Sequence, residues 1–373
     1  MRILIITRNL PPLTGGMERL NWHLADELSR RADVQIIGPQ GAARLAPAGV
    51  RATEVPLRPL GRFLGLTAHR AWQLARRWRP GIVLAGSGLT APVALLAARC
   101  CGARAVAYLH GLDIAVRHPL YRLLWLPALR RLDQVIVNSQ ATARLARRAG
   151  IPARRISVVL PGVSLPLSVP DPLLVRAFRE RHQLGNRPLL LFVGRLTARK
   201  GLREFVSQAL PAIVACQPEV LLVVIGDVPD QALQAEIQTP DSIREAARTA
   251  GVAGNLRFLG QVSEQQLACA WRSAAVQVFP VQDRPSDPEG FGMVAIEAAV
   301  QGIATVAFAV GGVVDAVQDG VTGYLIPAGD FAAFSQAVLQ QLEQPLDVRA
   351  ARPALARLGW PAFGRQIARA LEI

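Results

Sequence analysis

The feature that most restricts the fold of this chain is a regular alternation of short apolar runs with helix-like segments. In the first half the runs are RILIIT at 2–7, VQIIG near 34, IVLAG near 82, AVAYLHG near 105 and QVIVNS near 134. In the second half they are PLLLFVGRL at 188, VLLVVIG at 220, LRFLG at 256, AVQVFP at 275, TVAF at 305 and TGYLIP at 322. Strands that alternate with helices form parallel sheets covered by helices on both faces. The pattern therefore predicts an α/β protein.

The length and the proline pattern predict two domains. The 373 residues exceed one typical domain, and the segment PGVSLPLSVPDP at 161–172 has four prolines and no periodicity, as a linker does. We expect domains at 1–165 and 166–357, followed by a closing segment at about 358–373. The opening MRILIITRNL is too short in apolar residues for a signal peptide, and no run reaches the roughly 18 apolar residues of a spanning helix. Four cysteines without metal or disulfide spacing indicate a reducing cytosol.

The stretch DPEGFGMVAIEAAVQGIATVAF at 287–308 predicts a loop, a helix from Met293 and a buried strand. A helix entered through a glycine-bearing loop presents unpaired backbone N–H groups that suit a phosphate. Glu289 in the loop and Glu297 in the helix are then placed to bind sugar hydroxyls beside it. The alternative is that both glutamates are ordinary solvated residues. Since Glu297 lies in a nearly all-apolar helix, its carboxylate needs a partner, which favours the ligand site.

A second cluster follows the strand near 188. The segment FVGRLTARKGL at 192–202 places Arg195 and Lys200 at the start of a helix, where the helix dipole disfavours cations. A bound pyrophosphate would remove this conflict. Lys200 is also the only lysine among the 42 basic residues, which indicates that this one position needs a compact point charge.

The first half carries the excess positive charge. Residues 1–165 hold 24 basic and 7 acidic side chains and residues 166–373 hold 18 and 20, which gives +17 and −2. Two stretches, 58–80 and 117–132, combine arginines with large apolar side chains, as membrane-interface helices do, although a helix packed on a sheet has the same pattern. No recognised nucleic-acid-binding motif appears, so we expect an anionic membrane surface as a partner and no nucleic acid. The predicted membrane or acceptor contacts are Arg62, Phe63, Trp72, Arg76, Arg77, Trp78 and Arg79.

Two further positions in the first half follow predicted strands. The loop RNLPPLTGG lacks the GxGxxG dinucleotide pattern, and its Gly15 and Gly16 are either a simple turn or the approach to a phosphate. His110, followed by Gly111 and Asp113, lies at the carboxyl end of a strand, where ligands bind in open parallel sheets. A lone histidine is equally compatible with a structural role.

These motifs resemble those of the retaining glycosyltransferases of family 4, which have the GT-B fold: two Rossmann-like domains facing an interdomain cleft. The resemblance rests on two glutamates separated by seven residues with FG after the first, and on GR-x4-KG at 194–201, HG-x-D at 110–113 and VIGD at 224–227. It extends to GGVVDAVQDGVTGYLIP at 311–327, where Asp315 stands in place of the family's glutamate, so the role of that position is open. In this fold the last helix usually crosses back to the first domain.

The resemblance also implies residue roles. Glu289 and His110 bind the transferred sugar as the catalytic pair, and Glu297 binds the ribose. Arg195 and Lys200 neutralise the diphosphate. The remaining donor-binding positions are Gly15, Gly16, Gly226, Phe291, Gly292, Met293 and Val294. The chain has no Asp-x-Asp motif, and we expect neither a metal nor another cofactor.

We therefore predict a retaining, metal-independent hexosyltransferase that moves mannose or a similar sugar from a nucleotide-diphosphate-sugar to a lipid-linked glycan, oligosaccharide or glycolipid. We expect it in the cytoplasm, attached peripherally to the inner face of the cell membrane. Two alternatives stay open: a nucleotide-sugar hydrolase or epimerase of the same fold, and a non-catalytic carbohydrate- or lipid-binding protein. The basic, aromatic-rich surface disfavours the first, and the complete set of charged site residues disfavours the second.

Overall fold

In the computed structural model, which describes residues 1–166, 170–229 and 236–373, the chain divides into two compact units. The first comprises Met1–Gly162 and Leu358–Ile373, and the second comprises Val163–Arg357. The division lies three residues before the boundary expected from the sequence, inside the proline-rich linker. Positions 167–169 of that linker lie outside the described residues.

The first unit, all of whose residues are described, is built on a parallel sheet of seven strands. The sheet has the order β3-β2-β1-β4-β5-β6-β7, so the winding reverses between β1 and β4. The strands are β1 (Arg2–Ile6), β2 (Asp33–Pro39), β3 (Arg51–Val55), β4 (Ile82–Ala85), β5 (Arg104–Leu109), β6 (Gln134–Val137) and β7 (Ile156–Val158). The helices are α1 (Gly16–Ser29), α2 (Ala42–Leu45), α3 (Leu60–Trp78), α4 (Ala91–Cys101), α5 (Leu112–Ala115), α6 (Pro119–Arg130) and α7 (Gln140–Arg148).

The described part of the second unit repeats this architecture with a parallel sheet in the order β10-β9-β8-β11-β12-β13. The strands are β8 (Leu189–Val193), β9 (Leu221–Ile225), β10 (Leu256–Gly260), β11 (Val276–Phe279), β12 (Thr305–Phe308) and β13 (Gly323–Ile326). The helices are α8 (Pro172–Arg181), α9 (Leu202–Gln208), α10 (Leu210–Cys216), α11 (Pro240–Thr249), α12 (Glu264–Ser273), α13 (Met293–Val300), α14 (Val313–Ala316), α15 (Phe331–Glu343) and α16 (Arg352–Leu355). Here the winding reverses between β8 and β11.

The final helix, α17 (Trp360–Leu371), packs against α1 and so belongs to the first unit. The Trp360 ring stacks on the His23 ring with their centres 3.9 Å apart. Gln134 Nε2, at the start of β6, donates a hydrogen bond to the Ala370 carbonyl oxygen at 2.6 Å. The chain therefore completes its first unit with residues that follow the second.

The predicted α/β class is confirmed, and each predicted apolar run forms a strand. The central strands are recognisable because both faces of a parallel sheet are covered, which makes their sequences almost continuously apolar. Two edge strands, β3 and β7, are not evident from the sequence. The sequence of β3, RATEV, is mostly polar and partly exposed, and β7 has only three residues, so neither gives an apolar run.

Candidate active site

A buried ion pair joins two of the predicted site residues in the second unit. Lys200 Nζ lies 2.8 Å from Glu289 Oε2, and the two side chains are 11% and 10% exposed. Lys200 ends a one-turn 3₁₀ helix after β8, and Glu289 lies in the loop before α13. The sequence assigns Lys200 to the diphosphate and Glu289 to the sugar, whereas the structure brings the two side chains into direct contact.

The charges of this pair are set by competition between burial and neighbouring groups. Burial alone raises the pKa of the Glu289 carboxyl, but the positive charges of Lys200 and Arg199 outweigh it and lower this pKa to about 2. Burial lowers the pKa of the Lys200 ammonium, and Glu289 opposes that shift. Because Glu289 is anionic at neutral pH, Lys200 has the counter-charge that a buried ammonium requires. The ammonium also lies 4.7 Å from the centre of the Phe279 ring, in a cation–π contact.

Arg199 is a further charged member of the cluster that the sequence patterns do not single out. Its Nε lies 3.7 Å from Glu289 Oε2, and its Nη1 lies 3.5 Å from Asp287 Oδ1. Nη1 also donates a hydrogen bond to the Pro288 carbonyl at 3.1 Å, while Nε has no hydrogen-bond partner among the described residues. Arg195 is half-buried and close enough to affect the pKa of Glu289. The cluster thus has three cations, on Lys200, Arg199 and Arg195, and two carboxylates, on Glu289 and Asp287. Its net positive charge suits a diphosphate.

The amino terminus of α13 lies at the end of the same loop. Gly292 precedes the helix with φ of 91°, and no side chain of the described residues caps it. Phe291 is buried, whereas Met293 and Val294 are half-buried. The first N–H groups of a helix have no intrahelical acceptor and attract an anion. These backbone groups therefore add to the positive field of the side-chain cluster.

The glycine pair of the 311–327 motif holds the Glu289 loop in place. A Cβ on Gly312 would clash with the Gly290 carbonyl oxygen, and one on Gly311 would clash with that of Glu289. The Gly312 N–H donates to the Glu289 carbonyl at 2.9 Å. Only glycine permits such a close approach of two backbones. The motif thus positions the carboxylate, and Asp315 follows it within α14.

The other predicted donor-binding residues lie in varied surroundings. Glu297 is half-buried in α13 and takes part in at least one hydrogen bond, ion pair or electrostatic interaction. Gly226 follows β9, where a Cβ would clash with the Gly194 carbonyl oxygen, so the ends of β8 and β9 are in contact. Gly15 caps α1 in the first unit, with the Glu18 carboxylate against it, and Gly16 is the first residue of that helix. The nearby carboxylate disfavours a phosphate at Gly15.

His110 lies at the carboxyl end of β5 in the first unit and is buried. Its ring Nε2 is 3.0 Å from the Gly86 carbonyl oxygen. A carbonyl only accepts hydrogen bonds, so Nε2 carries the proton and, in the neutral ring, Nδ1 is the acceptor. The His110 backbone N–H donates to Asp113 Oδ2 at 2.8 Å. The ring is therefore held in one tautomer at the edge of the sheet.

The structure corrects the predicted membrane-contact residues of α3. Phe63 is 0% exposed in the core of the first unit, so its assignment to the surface is wrong. Trp78 is partly buried against the same core. Trp72 is exposed, with the Arg76 guanidinium 5.1 Å from the centre of its ring. The exposed arginines of the predicted set are Arg62, Arg76, Arg77 and Arg79.

The helix α6 exposes a larger apolar surface than α3. Leu120, Leu123 and Leu124 are 54%, 70% and 52% exposed, and exposed Arg117 and Arg122 lie beside them in the chain. Because α4 packs against both α3 and α6, the arginines of α3 and the leucines of α6 belong to one layer of helices. Across the described residues, no helix is long and apolar enough to cross a membrane.

Comparisons with known proteins agree with this architecture. The family described as Glycosyltransferase Family 4 matches residues 14–166, and the family described as Glycosyl transferases group 1 matches residues 187–344. The chain is 29% identical to a GDP-mannose-dependent alpha-(1-6)-phosphatidylinositol monomannoside mannosyltransferase of Mycolicibacterium smegmatis, over 96% of this chain and 93% of that protein. It is 34% identical to a D-inositol 3-phosphate glycosyltransferase 2 of Catenulispora acidiphila, over 62% and 53% of the two chains. The solved structure of Anabaena HepE in complex with UDP covers 100% of both chains with a TM-score of 0.79 and 19% identity.

The two doubly wound parallel sheets have the GT-B fold, and the two family matches identify the protein as a glycosyltransferase. The two family matches together span most of both units. The chain belongs to glycosyltransferase family 4.

Proposed function

We propose that the protein is a retaining hexosyltransferase that moves mannose or a similar hexose from a nucleotide-diphosphate-sugar to a lipid-linked acceptor. The observation that carries the proposal is the buried Lys200–Glu289 pair with Arg195 and Arg199 beside it. This cluster combines cations for a diphosphate with a carboxylate for sugar hydroxyls. The relative named for GDP-mannose and phosphatidylinositol monomannoside supports this class of donor and acceptor.

The proposed chemistry is electrostatic. The bond from the anomeric carbon to the diphosphate breaks while the acceptor oxygen bonds to that carbon on the same face. The acceptor hydroxyl gives its proton to the departing diphosphate oxygen. Lys200, Arg195 and the first N–H groups of α13 stabilise the charge that grows on the leaving group. We propose that these fixed positive groups perform that task without a metal.

Glu289 changes partner during the proposed cycle. Without donor, its carboxylate neutralises Lys200 at 2.8 Å. A bound diphosphate takes over this role, because it brings two negative charges and several acceptor oxygens to the ammonium and the guanidinium groups. The carboxylate is then free to accept hydrogen bonds from hydroxyls of the transferred sugar. We propose that Nδ1 of His110, in the first unit, accepts a hydrogen bond from a sugar hydroxyl.

Donor binding and turnover test this proposal. A panel of UDP-, GDP- and ADP-linked sugars is compared by thermal shift, where a ligand at 100 times its Kd should add about 2.7 kcal/mol. We expect a nucleotide-hexose to stabilise the wild type and, at the same concentration, to stabilise Lys200→Ala less. NMR of the product should show retention at the anomeric carbon, and EDTA should leave the rate unchanged. Donor hydrolysis without transfer to any acceptor, or activity that disappears with EDTA, would contradict the proposal.

We further propose that the first unit attaches peripherally to the inner face of the cell membrane. An arginine near an anionic leaflet contributes about 1 kcal/mol, and burial of a leucine about 1.5–3 kcal/mol. The arginines of α3 provide the electrostatic contribution, and the leucines of α6 provide the burial contribution. Pelleting with vesicles that contain phosphatidylglycerol should fail for the double variant Leu123→Glu/Leu124→Glu. The matched control is Leu173→Glu/Leu174→Glu on α8, which also has two exposed leucines. Equal pelleting of both double variants would contradict this attachment surface.

A further inference from the structure

Arg8 is a buried cation of the first unit without a counter-charge in contact. It lies just beyond the end of β1 and is 7% exposed. Its Nε is fully enclosed and has no hydrogen-bond partner, and its guanidinium makes no ion pair within the part of the chain that the structure describes. Burial lowers the pKa of Arg8, yet a guanidinium remains charged in proteins. A buried charge of this kind requires an anion to compensate its desolvation.

The place of Arg8 in the fold points to a ligand. It lies at the carboxyl edge of the first sheet, where the winding reverses between β1 and β4. Open parallel sheets bind ligands at such a point. The first turn of the 14-residue helix α1 lies close by, because Glu18 in that turn accepts a hydrogen bond from Asn9, the residue after Arg8. Ser87 Oγ beyond β4 and Asn21 Oδ1 on α1 are also buried without partners among the described residues.

Glu18 is a carboxylate whose charge acts on Arg8, but it makes no ion pair with Arg8. Glu18 lies in the first turn of α1, and its negative charge attracts Arg8 through space. The positive charge of Arg58 repels Arg8. Glu18 Oε1 instead accepts a hydrogen bond from Asn9 Nδ2 at 2.7 Å. A ligand with both an anionic group and hydroxyls matches this arrangement, since the guanidinium takes the anion and the carboxylate accepts from hydroxyls.

Hydrogen bonds connect this edge to the predicted catalytic histidine. The Gly86 carbonyl accepts from Asn21 Nδ2 at 3.2 Å and from His110 Nε2 at 3.0 Å. Asn21 Nδ2 also donates to the Asn9 carbonyl at 3.1 Å, which fixes the loop that carries Arg8. A group bound at Arg8 therefore lies on the same sheet edge as His110.

We propose that Arg8 anchors the phosphate ester of a polyol acceptor, with the exposed Arg58 as a second cation. The proposal rests on the proposed glycosyl transfer and specifies its acceptor class. Two relatives are named for phosphatidylinositol monomannoside and D-inositol 3-phosphate, which both carry a phosphate ester on a polyhydroxylated ring.

The first test is independent of catalysis. Arg8→Gln and Arg8→Lys are compared with Arg44→Gln, which changes an exposed arginine on α2. Thermal unfolding is followed with and without inorganic phosphate or myo-inositol 1-phosphate. Both ligands should stabilise the wild type and Arg44→Gln but not Arg8→Gln. Without ligand, Arg8→Gln should be at least as stable as the wild type, because an uncompensated buried charge has been removed.

The second test uses steady-state transfer. With myo-inositol 1-phosphate or dispersed phosphatidylinositol as acceptor, Arg8→Gln should raise the acceptor KM by about 10- to 100-fold, as loss of a charged hydrogen bond does. The KM of the donor should not change, and with unphosphorylated myo-inositol the wild type and Arg8→Gln should be equal. Arg8→Lys keeps the charge without the guanidinium geometry and should give an intermediate acceptor KM. Comparison of the two phosphorylated acceptors identifies whether the phosphate comes from a lipid or a soluble ester.

Three results would overturn the proposal. Destabilisation of ligand-free Arg8→Gln would make Arg8 a structural counter-charge for Glu18. Equal stabilisation of the wild type and Arg8→Gln by phosphate would place the anion elsewhere. An equal rise in KM for phosphorylated and unphosphorylated acceptors would exclude phosphate recognition. Phosphate stabilisation that depends on Arg8, in a protein that transfers no sugar, would support the anion site while contradicting the proposed function.

Discussion

Replacing Glu289 with glutamine tests the buried ion pair directly. The carboxylate is 10% exposed, and its pKa falls from 4.5 to about 2, which at about 1.36 kcal/mol per pKa unit stabilises the charged form by about 3 kcal/mol. Glutamine supplies no negative charge, so Lys200 and Arg199 stay buried without the carboxylate of Glu289. We expect the free energy of unfolding, measured with urea at pH 7, to fall by about 3 kcal/mol, as when one partner of a buried pair is removed.

The pH dependence of this effect has a definite sign. Because the folded-state pKa is the lower one, the stabilisation is complete above pH 4.5 and is lost as the pH falls towards 2. The difference between the wild type and Glu289→Gln should therefore shrink between about pH 5 and pH 3. The matched control is Glu180→Gln, which breaks an exposed pair with Arg176 and should cost less than about 0.5 kcal/mol.

The same variant separates the two proposed partners of Lys200. Removing the carboxylate frees the ammonium, so a nucleoside diphosphate should bind Glu289→Gln at least as tightly as the wild type while sugar transfer is lost. Lys200→Ala should lose about 10- to 100-fold in nucleotide affinity by calorimetry. Equal losses of nucleotide affinity in the two variants would refute this division of roles. An unfolding free energy of Glu289→Gln within about 0.5 kcal/mol of the wild type would refute the electrostatic argument.

Three further expectations concern other parts of the chain. Gly312→Ala should displace the loop before α13 and abolish transfer, whereas Gly254→Ala, with open space around it, should leave the rate unchanged in the same assay. Burial lowers the pKa of His23 from 6.5 to about 4, so its contribution to stability is complete above pH 6.5 and declines below it. Urea unfolding at pH 7 and pH 5 should therefore show about 1 kcal/mol more acid destabilisation in the wild type than in His23→Phe, after allowance for partial exposure. Arg199→Gln should weaken nucleotide binding by about 10-fold by calorimetry, and unchanged affinity would remove Arg199 from the donor site.

The sequence predicts the sheets well and the charged contacts poorly. Central parallel strands are apolar on both faces, so each gives a continuous signal. The contact of Lys200 with Glu289 joins residues 89 positions apart, and no local pattern encodes such a pairing. Lys200 stands out only because the chain has no other lysine. Arg199, directly before it, is hidden among 41 arginines, although its charge acts on the same carboxylate.

The assignment of Phe63 to a membrane surface fails for a general reason. A helix that lies on a membrane and a helix that packs on a sheet have the same periodicity of apolar and basic residues. Only the fold determines which face is covered, and here it covers Phe63 and exposes Leu123. The burial of Arg8 is likewise invisible in sequence, because a residue in a loop after a strand is normally exposed.

The return of α17 to the first unit has a consequence for the order of folding. Phe363, Ile367 and Leu371 are buried in that unit, although they follow the whole second unit in the chain. During synthesis, the second unit is complete when Arg357 leaves the ribosome, whereas the first still lacks one side of its packing around α1. The contacts of longest sequence separation therefore form last. An apolar face of the nascent first unit therefore stays uncovered for the time needed to translate about half of the protein. During that time the first unit is the part of the chain most exposed to aggregation and to chaperone binding.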